Sequence, residues 1–294
     1  MKKSLKQAIN VFSYYQKIIL LLELVCRKFG FTIGSKGDLI LAQCEHYVQL
    51  IERGVSIKRE IGQLLKFNFI LNEKEYIFFV RKASSDIRVF ESVILLEEYQ
   101  IAKEHLLGTG KENIVMIDAG ANIGFTTLYL HAFFPTSKFV IIEPDPNNCL
   151  MLKKNLSINN ITNFTIFQNA LWINDDELLI DNTFRDGKEW SLSVAAEQNS
   201  TTNKERKKVK GITLNSIAEI INGNSIFLFK IDVEGSERFL FQCNSFLNSL
   251  SKYVDNMVIE IHDEYDIRHN INNKMSELGF ELNEFRDITF FARN

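Results

Sequence analysis

A lysine and two carboxylates fall within five positions of one another in the stretch FLFKIDVEGSE, where Lys230, Asp232 and Glu234 precede Gly235. Phe227, Leu228, Phe229 and Ile231 make this an apolar strand that carries Lys230 inside it, and a buried lysine is costly unless it is paired. Lys230 therefore meets a carboxylate of its own chain or an anionic part of a substrate. A second stretch, MVIEIHDE, delivers Glu260, His262 and Asp263 at a strand end, and the two-residue spacing puts Glu260 and His262 on one face. An imidazole titrates near neutrality, so His262 suits removal of a hydroxyl proton, with Glu234 and Asp232 as further candidate bases. The plain alternative for His262 is a hydrogen-bonded structural residue. Four carboxylates and one histidine on two strands show no recognisable ligand spacing, so no metal is expected.

The residues that would hold a cofactor lie upstream. In IVMIDAGANIG an apolar strand ends at Asp118, and Gly120 and Gly124 bracket a tight turn into a helical run. Glycines serve where the backbone takes positive φ or approaches a ligand, and a helix start leaves N–H groups pointing outward. In FVIIEPDP the next strand ends at Glu143, where a doubly wound sheet places the carboxylate that accepts ribose hydroxyls. The Gly-Ala-Asn-Ile-Gly spacing lacks the third glycine of the pyridine-nucleotide fingerprint. With an acid on the following strand it fits S-adenosylmethionine better: glycines beside the methionine part, Asp118 toward its ammonium, Glu143 on the ribose. A strand-ending cap for Asp118 and a solvated tip for Glu143 are the alternatives. Asn169, at the tip of the third strand, either meets the adenine edge or forms an ordinary turn. Asp145 and Pro146 flank the adenine, or Pro146 simply begins a helix.

These side chains need a sheet to align them. From Asn113 the apolar pattern alternates, with strands expected at 114–118, 138–143, 164–168, 226–231 and 256–261 and helices at 124–133, 146–158, 212–222 and 236–249. That alternation means a parallel sheet with crossover helices. Two short runs, 278–282 and 286–292, close it as an antiparallel pair. The fold class is α/β: a class I, Rossmann-like methyltransferase plan, a seven-stranded mostly parallel sheet with an antiparallel C-terminal strand. The polar segment 173–210 reads as a long surface excursion of two short strands and a loop, and its basic run KERKKVK either contacts phosphates or is simply solvated.

Residues 1–82 form a separate extension. Helices are expected at Leu5–Phe29 and Gly37–Arg53, then a hairpin over 66–82 that turns at Asn72-Glu73-Lys74. The run IILLLELVC is interrupted by charge and too short to span a bilayer, so an amphipathic helix is expected, packed on the protein or resting on a membrane surface. Ser85 or Asp86 caps a further helix carrying Val89, Phe90, Val93 and Ile94. A formal net charge of -3 offers no general pull toward nucleic acid. Cys26, Cys44, Cys149 and Cys243 are scattered with no C-x-x-C spacing, which points to reduced thiols and a cytoplasmic protein.

Taken as a series, IDAGANIG, IIEPDP, QNALW, ITLNSI, FKIDVEGSE and IEIH, with Ser85-Asp86 and Tyr99 upstream, resemble the FkbM family of S-adenosylmethionine-dependent methyltransferases over Ser84 to His262. The resemblance implies domains at 1–82 and 83–294, cofactor contacts from Asp118, Gly120, Asn122, Gly124, Glu143 and Asn169, and roles for Asp232 and Glu234 in the second motif. It also implies O-methylation of a sugar, glycan or small metabolite. Asn215 departs from it, standing where the family usually has an acid. An RNA methyltransferase would need a basic face, which only residues 204–210 offer, and a catalytically silent cofactor-binding protein is the remaining alternative.

Overall fold

The computed structural model describes residues 2–60, 62–82, 84–181, 193–196 and 208–293. The chain divides into two compact units, residues 1–83 and 84–294.

In the first unit the single expected N-terminal helix is two, α1 (Lys2–Val11) and α2 (Tyr14–Lys28), both packed on α3 (Ser35–Glu52). The break falls at Ser13, which leaves helical geometry and caps α2 through a reciprocal pair with Gln16. Strands β1 (Ser56–Arg59), β2 (Leu64–Leu71) and β3 (Lys74–Arg81) follow as an antiparallel sheet in that order. The expected β2–β3 hairpin turns on Asn72 and Glu73, both at positive φ (46° and 64°), the geometry a two-residue hairpin loop requires. β1 went unanticipated because Ser56-Ile57-Lys58-Arg59 is short, polar and mostly exposed.

The second unit opens with α4 (Asp86–Phe90), which runs into a π-helical turn at Glu91–Leu95, and α5 (Gln100–Gly108). Ser85 makes no side-chain cap; the Ser84 hydroxyl instead accepts from the Asp86 N–H. The alternation then follows: β4 (Val115–Ala119), α6 (Phe125–Phe133), β5 (Lys138–Ile142), α7 (Pro146–Ile158) and β6 (Phe164–Phe167). The excursion forms its own sheet from β7 (Ala170–Leu171), β8 (Glu177–Asp181), β9 (Ser193–Ala196) and β10 (Lys208–Ile212), ordered β7-β10-β8-β9. The loop expected within it and the basic residues 204–207 lie outside the described residues; Lys208 pairs with Glu177 at 2.8 Å.

The chain returns through α8 (Leu214–Ile220), β11 (Leu228–Ile231), α9 (Glu237–Leu240), α10 (Asn244–Tyr253), β12 (Asn256–Glu260), α11 (Arg268–Glu277), β13 (Glu281–Phe285) and β14 (Ile288–Ala292). One helix was expected where α9 and α10 are separated. The main sheet has seven strands in the order β13-β14-β12-β11-β4-β5-β6, with β14 antiparallel to both its neighbours and the other pairs parallel.

Strand parity sorts the sheet residues. Ile117, Ala119, Val140, Ile142, Phe229, Ile231, Met257 and Ile259 join the core formed with α8, α10 and α11. Asp118 and Lys230 take the other face, and the β4–β11 register sets them directly opposite one another. Burying that much aliphatic and aromatic surface fixes the strands, so their C-terminal ends become a rigid edge from which polar residues can project.

Candidate active site

A cavity of about 290 Å³ opens along that edge. Its floor is the turn after β4, with Gly120, Ala121 and Asn122, and the tip of β5, with Glu143 and Pro144. Lys230 of β11, Asp232, Val233 and Glu234 after it and Glu260 at the end of β12 complete one side; Arg88 of α4 and Ser92, Glu98 and Tyr99 after it line the other.

The turn after β4 is built by its own chain. Gly120 has φ 74°, and a Cβ there would collide with the carbonyl oxygen of Asp232, so only glycine lets the β4 and β11 ends approach this closely. Gly124, at φ 88°, is the residue before α6, and a Cβ there would strike Leu152 of α7. Gly120 lines the cavity, where its backbone is open to a ligand, whereas Gly124 is not among the cavity residues. The N–H groups of Gly120 and Ala121 both donate to the Ile142 carbonyl, and that of Asn122 to Glu143 Oε2 at 2.7 Å. The N–H groups of the turn itself are therefore already in use, ahead of the first turn of α6, whose Phe125 and Thr126 line the cavity.

Glu143 is buried, and its other oxygen accepts from the Asp145 N–H at 2.9 Å and the Asn148 amide at 3.3 Å. Burial pushes its pKa up to about 7, against the pull of those three donors. It lines the cavity with lone pairs to spare. Asp145 serves as the cap of α7, accepting from Asn147 and Asn148, with Pro146 in the first turn. Asn169 turns to the Gly211 carbonyl at 3.1 Å; Ala170 and Leu171, the next two residues, line the cavity in its place.

Lys230 is almost wholly buried and satisfies the pairing that its position in an apolar strand demanded. Its Nζ lies 3.2 Å from Asp118 and 3.5 Å from Asp232, and donates to the carbonyls of Gly120 (2.8 Å) and Ala119 (3.2 Å). Burial alone would lower its pKa, but the two aspartates outweigh that and hold it above the usual lysine value. Asp118 is consumed by this pair and by the Thr127 hydroxyl at 2.7 Å, and does not reach the cavity. Asp232 does.

His262 is the clearest departure from the sequence reading. Its ring is buried between two carboxylates, with Nδ1 3.0 Å from Glu237 and Nε2 3.3 Å from Glu234. Burial would depress its pKa, yet hydrogen bonds to Glu234 and Glu237 raise it to about 11. The two carboxylates favour the protonated ring, and His262 is not among the residues that line the cavity, an arrangement that suits the structural role of fixing Glu234, at φ 52°, and Glu237 better than that of a general base. The nearest donor atoms of Asp232, Glu234 and His262 lie within 4.8 Å of one another, a spacing a divalent metal could use.

Sequence reasoning passed over Glu98, Glu237 and Asp287. Glu237 closes the quoted motif and could have been paired with the histidine; Glu98 follows the apolar positions read for the helix after Ser85, and Asp287 lies in a run read only as a closing strand. Glu98, Glu143, Asp232, Glu234, Glu260 and Asp287 line the cavity against only Arg88 and Lys230. Burial, and then the charge of Asp232, push Glu98 and Glu260 above the usual carboxylate range. Such a site favours a positively charged ligand. Asn122 Oδ1 and Ser236 Oγ also face it buried, with no hydrogen-bond partner among the described residues, so they are ready for donors from a polar ligand. S-adenosylmethionine, with its sulfonium, ammonium and ribose hydroxyls, suits this set.

The sheet order and the position of the cavity define a class I methyltransferase fold. The Methyltransferase FkbM domain matches residues 118–282, and the chain belongs to the FkbM methyltransferase family, with S-adenosylmethionine as its cofactor. Among curated proteins it is similar to Methyltransferase 1 of Beauveria bassiana (strain ARSEF 2860), 25% identical over 165 residues. That match takes in 50% of this chain and 64% of the relative, so the chain spans less than two thirds of the relative's length. Solved structures with similarity include an rRNA methylase from Streptococcus thermophilus, at 9% identity and TM-score 0.37, over 62% of this chain and 88% of that one. A SAM-dependent methyltransferase from Aquifex aeolicus stands at 10% identity and TM-score 0.33, over 64% and 87%. Precorrin-6y C5,15-methyltransferase from Geobacter metallireducens GS-15 stands at 10% and 0.36, over 62% and 78%.

Proposed function

We propose that this chain transfers a methyl group from S-adenosylmethionine to a hydroxyl oxygen of a sugar, glycan or small metabolite. The observation that carries the reading is the carboxylate-lined cavity at the strand ends, with Glu143 at one side and Asp232 and Glu260 at the other. The bound donor supplies an electrophilic methyl on a positively charged sulfur. Glu143 accepts the ribose hydroxyls, Asn122 Oδ1 takes a donor N–H or O–H, and Asp232 provides negative charge for the cationic end. Lys230, locked to Asp118 and two backbone carbonyls, holds Asp232 in place.

The acceptor hydroxyl needs a base, and Glu260 replaces His262 in that part. Burial, and then the charge of Asp232, make Glu260 a stronger proton acceptor than an ordinary carboxylate, and positive charge in the cavity favours its ionised form beforehand. The C–O bond forms as the methyl–sulfur bond breaks, and the hydroxyl proton goes to Glu260. Tyr99, buried beside these groups, helps keep water out. Six carboxylates around the cavity also disfavour a polyanionic acceptor, which weighs against RNA.

Incubation of the full chain with methyl-labelled donor and candidate acceptors tests this. Label in a hydroxylated small molecule, resistant to alkali as an ether is, supports it. Alkali-labile label, label in RNA, or no transfer to any hydroxyl acceptor contradicts it.

A further inference from the structure

The first unit carries an exposed apolar surface of its own. On α2, Leu21, Tyr14, Val25, Ile18, Leu22 and Tyr15, with Phe29 just past its end, are all exposed; Leu21 is 63%, Tyr14 82% and Phe29 73% accessible. At 100° per residue these seven positions fall in one unbroken arc of about 120°. The buried residues Ile19, Leu20 and Glu23 point the other way, and α2 packs on α3. The core-facing side of this helix is therefore already satisfied, and a second, wholly apolar side remains.

The charges around that face have one sign. Residues 1–36 contain seven Lys and Arg and a single acid, Glu23. Glu23 is fully buried and spent internally: it accepts from Arg27 Nε at 2.7 Å and from the Ile33 N–H at 3.0 Å. Lys17 and Lys28 border the arc within about 40° of Leu21 on the helical wheel, and Lys36 lies over the Tyr15 ring at 4.8 Å. An apolar stripe bordered by lysines and ending in Tyr and Phe is the pattern of a helix lying in a lipid headgroup region. Among the described residues no helix is long and apolar enough to cross a membrane, so the contact is parallel to the surface.

We propose that the outer face of α2 docks on an anionic lipid bilayer, the apolar arc entering the headgroup boundary while Lys17, Lys28 and Lys36 meet lipid anions. The commitment to an anionic bilayer rests on charge complementarity, because lysines edge the face while Glu23 is buried behind it and Asp38 is paired with Arg27, which lies away from the arc.

Co-sedimentation of the full chain with phosphatidylcholine vesicles, with and without phosphatidylserine, decides the matter, with light scattering recording its mass in solution. The expected result is binding to the serine-containing vesicles alone, weakened by added salt and on the order of tenfold or more by Leu21→Glu with Phe29→Glu, or by Lys17→Glu with Lys28→Glu. These positions are exposed, so circular dichroism should match the parent; Val25→Gln, the mildest change, provides a further comparison should a double variant misfold. No binding, equal binding to neutral vesicles, or unaltered binding by the folded variants would overturn the proposal. So would a solution dimer that Leu21→Glu and Phe29→Glu split, since the face would then belong to a second copy.

Discussion

Replacing His262 by Gln removes one positive charge from between two buried carboxylates, and the structure sets the size of the loss. A histidine pKa raised from 6.5 to about 11 corresponds, at about 1.4 kcal/mol per pH unit, to a ceiling of about 6 kcal/mol. Breaking a buried pair by removing one partner costs ~3–5 kcal/mol in practice, so His262→Gln should lose about that much at pH 7. The pH dependence is the sharper check. The folded-state pKa lies above the unfolded one, so the stabilisation is full below pH 6.5 and is lost as the pH climbs toward 11. Urea unfolding of parent and variant at pH 7 and 9 should show the gap narrowing by roughly 2–3 kcal/mol at the higher pH, with unchanged slopes. A gap of the same size at both pH values, or a ring signal from His262 titrating near 6.5, would refute the imidazolium and restore the histidine as a candidate base.

Three further outcomes follow from the same geometry. Gly120→Ala should abolish donor binding by calorimetry and lower stability by ~2 kcal/mol or more, because its Cβ would displace the Asp232 carbonyl; normal binding would mean the two turns separate freely. Lys230→Met should destabilise by ~3–5 kcal/mol, since it strands Asp118 against an apolar sheet, and a neutral effect in thermal unfolding would show that Asp118 takes up a proton instead. Donor affinity should fall as the pH drops below about 7, where Glu143 is protonated and becomes a poorer acceptor. In Glu143→Gln that pH dependence should vanish, and its persistence would assign it to another group.

The strand-and-helix alternation from β4 to β12 was legible because each strand is a short apolar run bounded by a polar tip, and tips are where a parallel sheet keeps its chemistry. Lys230 could be identified as a paired residue from its apolar neighbours alone. Which partner it takes depends on β4–β11 register, a contact between residues more than a hundred positions apart that no local pattern encodes. The same limit explains His262: its type suggested a neutral base, but its charge is set by Glu234 and Glu237, brought together by the turn after β11. Gly120 and Gly124 read from the sequence as positions of positive φ or close approach, and both have positive φ; that Asp232 and Leu152 of the same chain crowd them was not legible, because those contacts are long-range. The break between α1 and α2 was written in Ser13 and Gln16 and was masked by the apolar run that follows.

The most direct test of the central claim is a crystal structure of the chain with S-adenosylhomocysteine. It should show the ribose hydroxyls on the Glu143 carboxylate and the sulfur facing Asp232 and Glu260. A ligand bound away from the ends of β4 and β5, or a ribose with no contact to Glu143, would contradict the account.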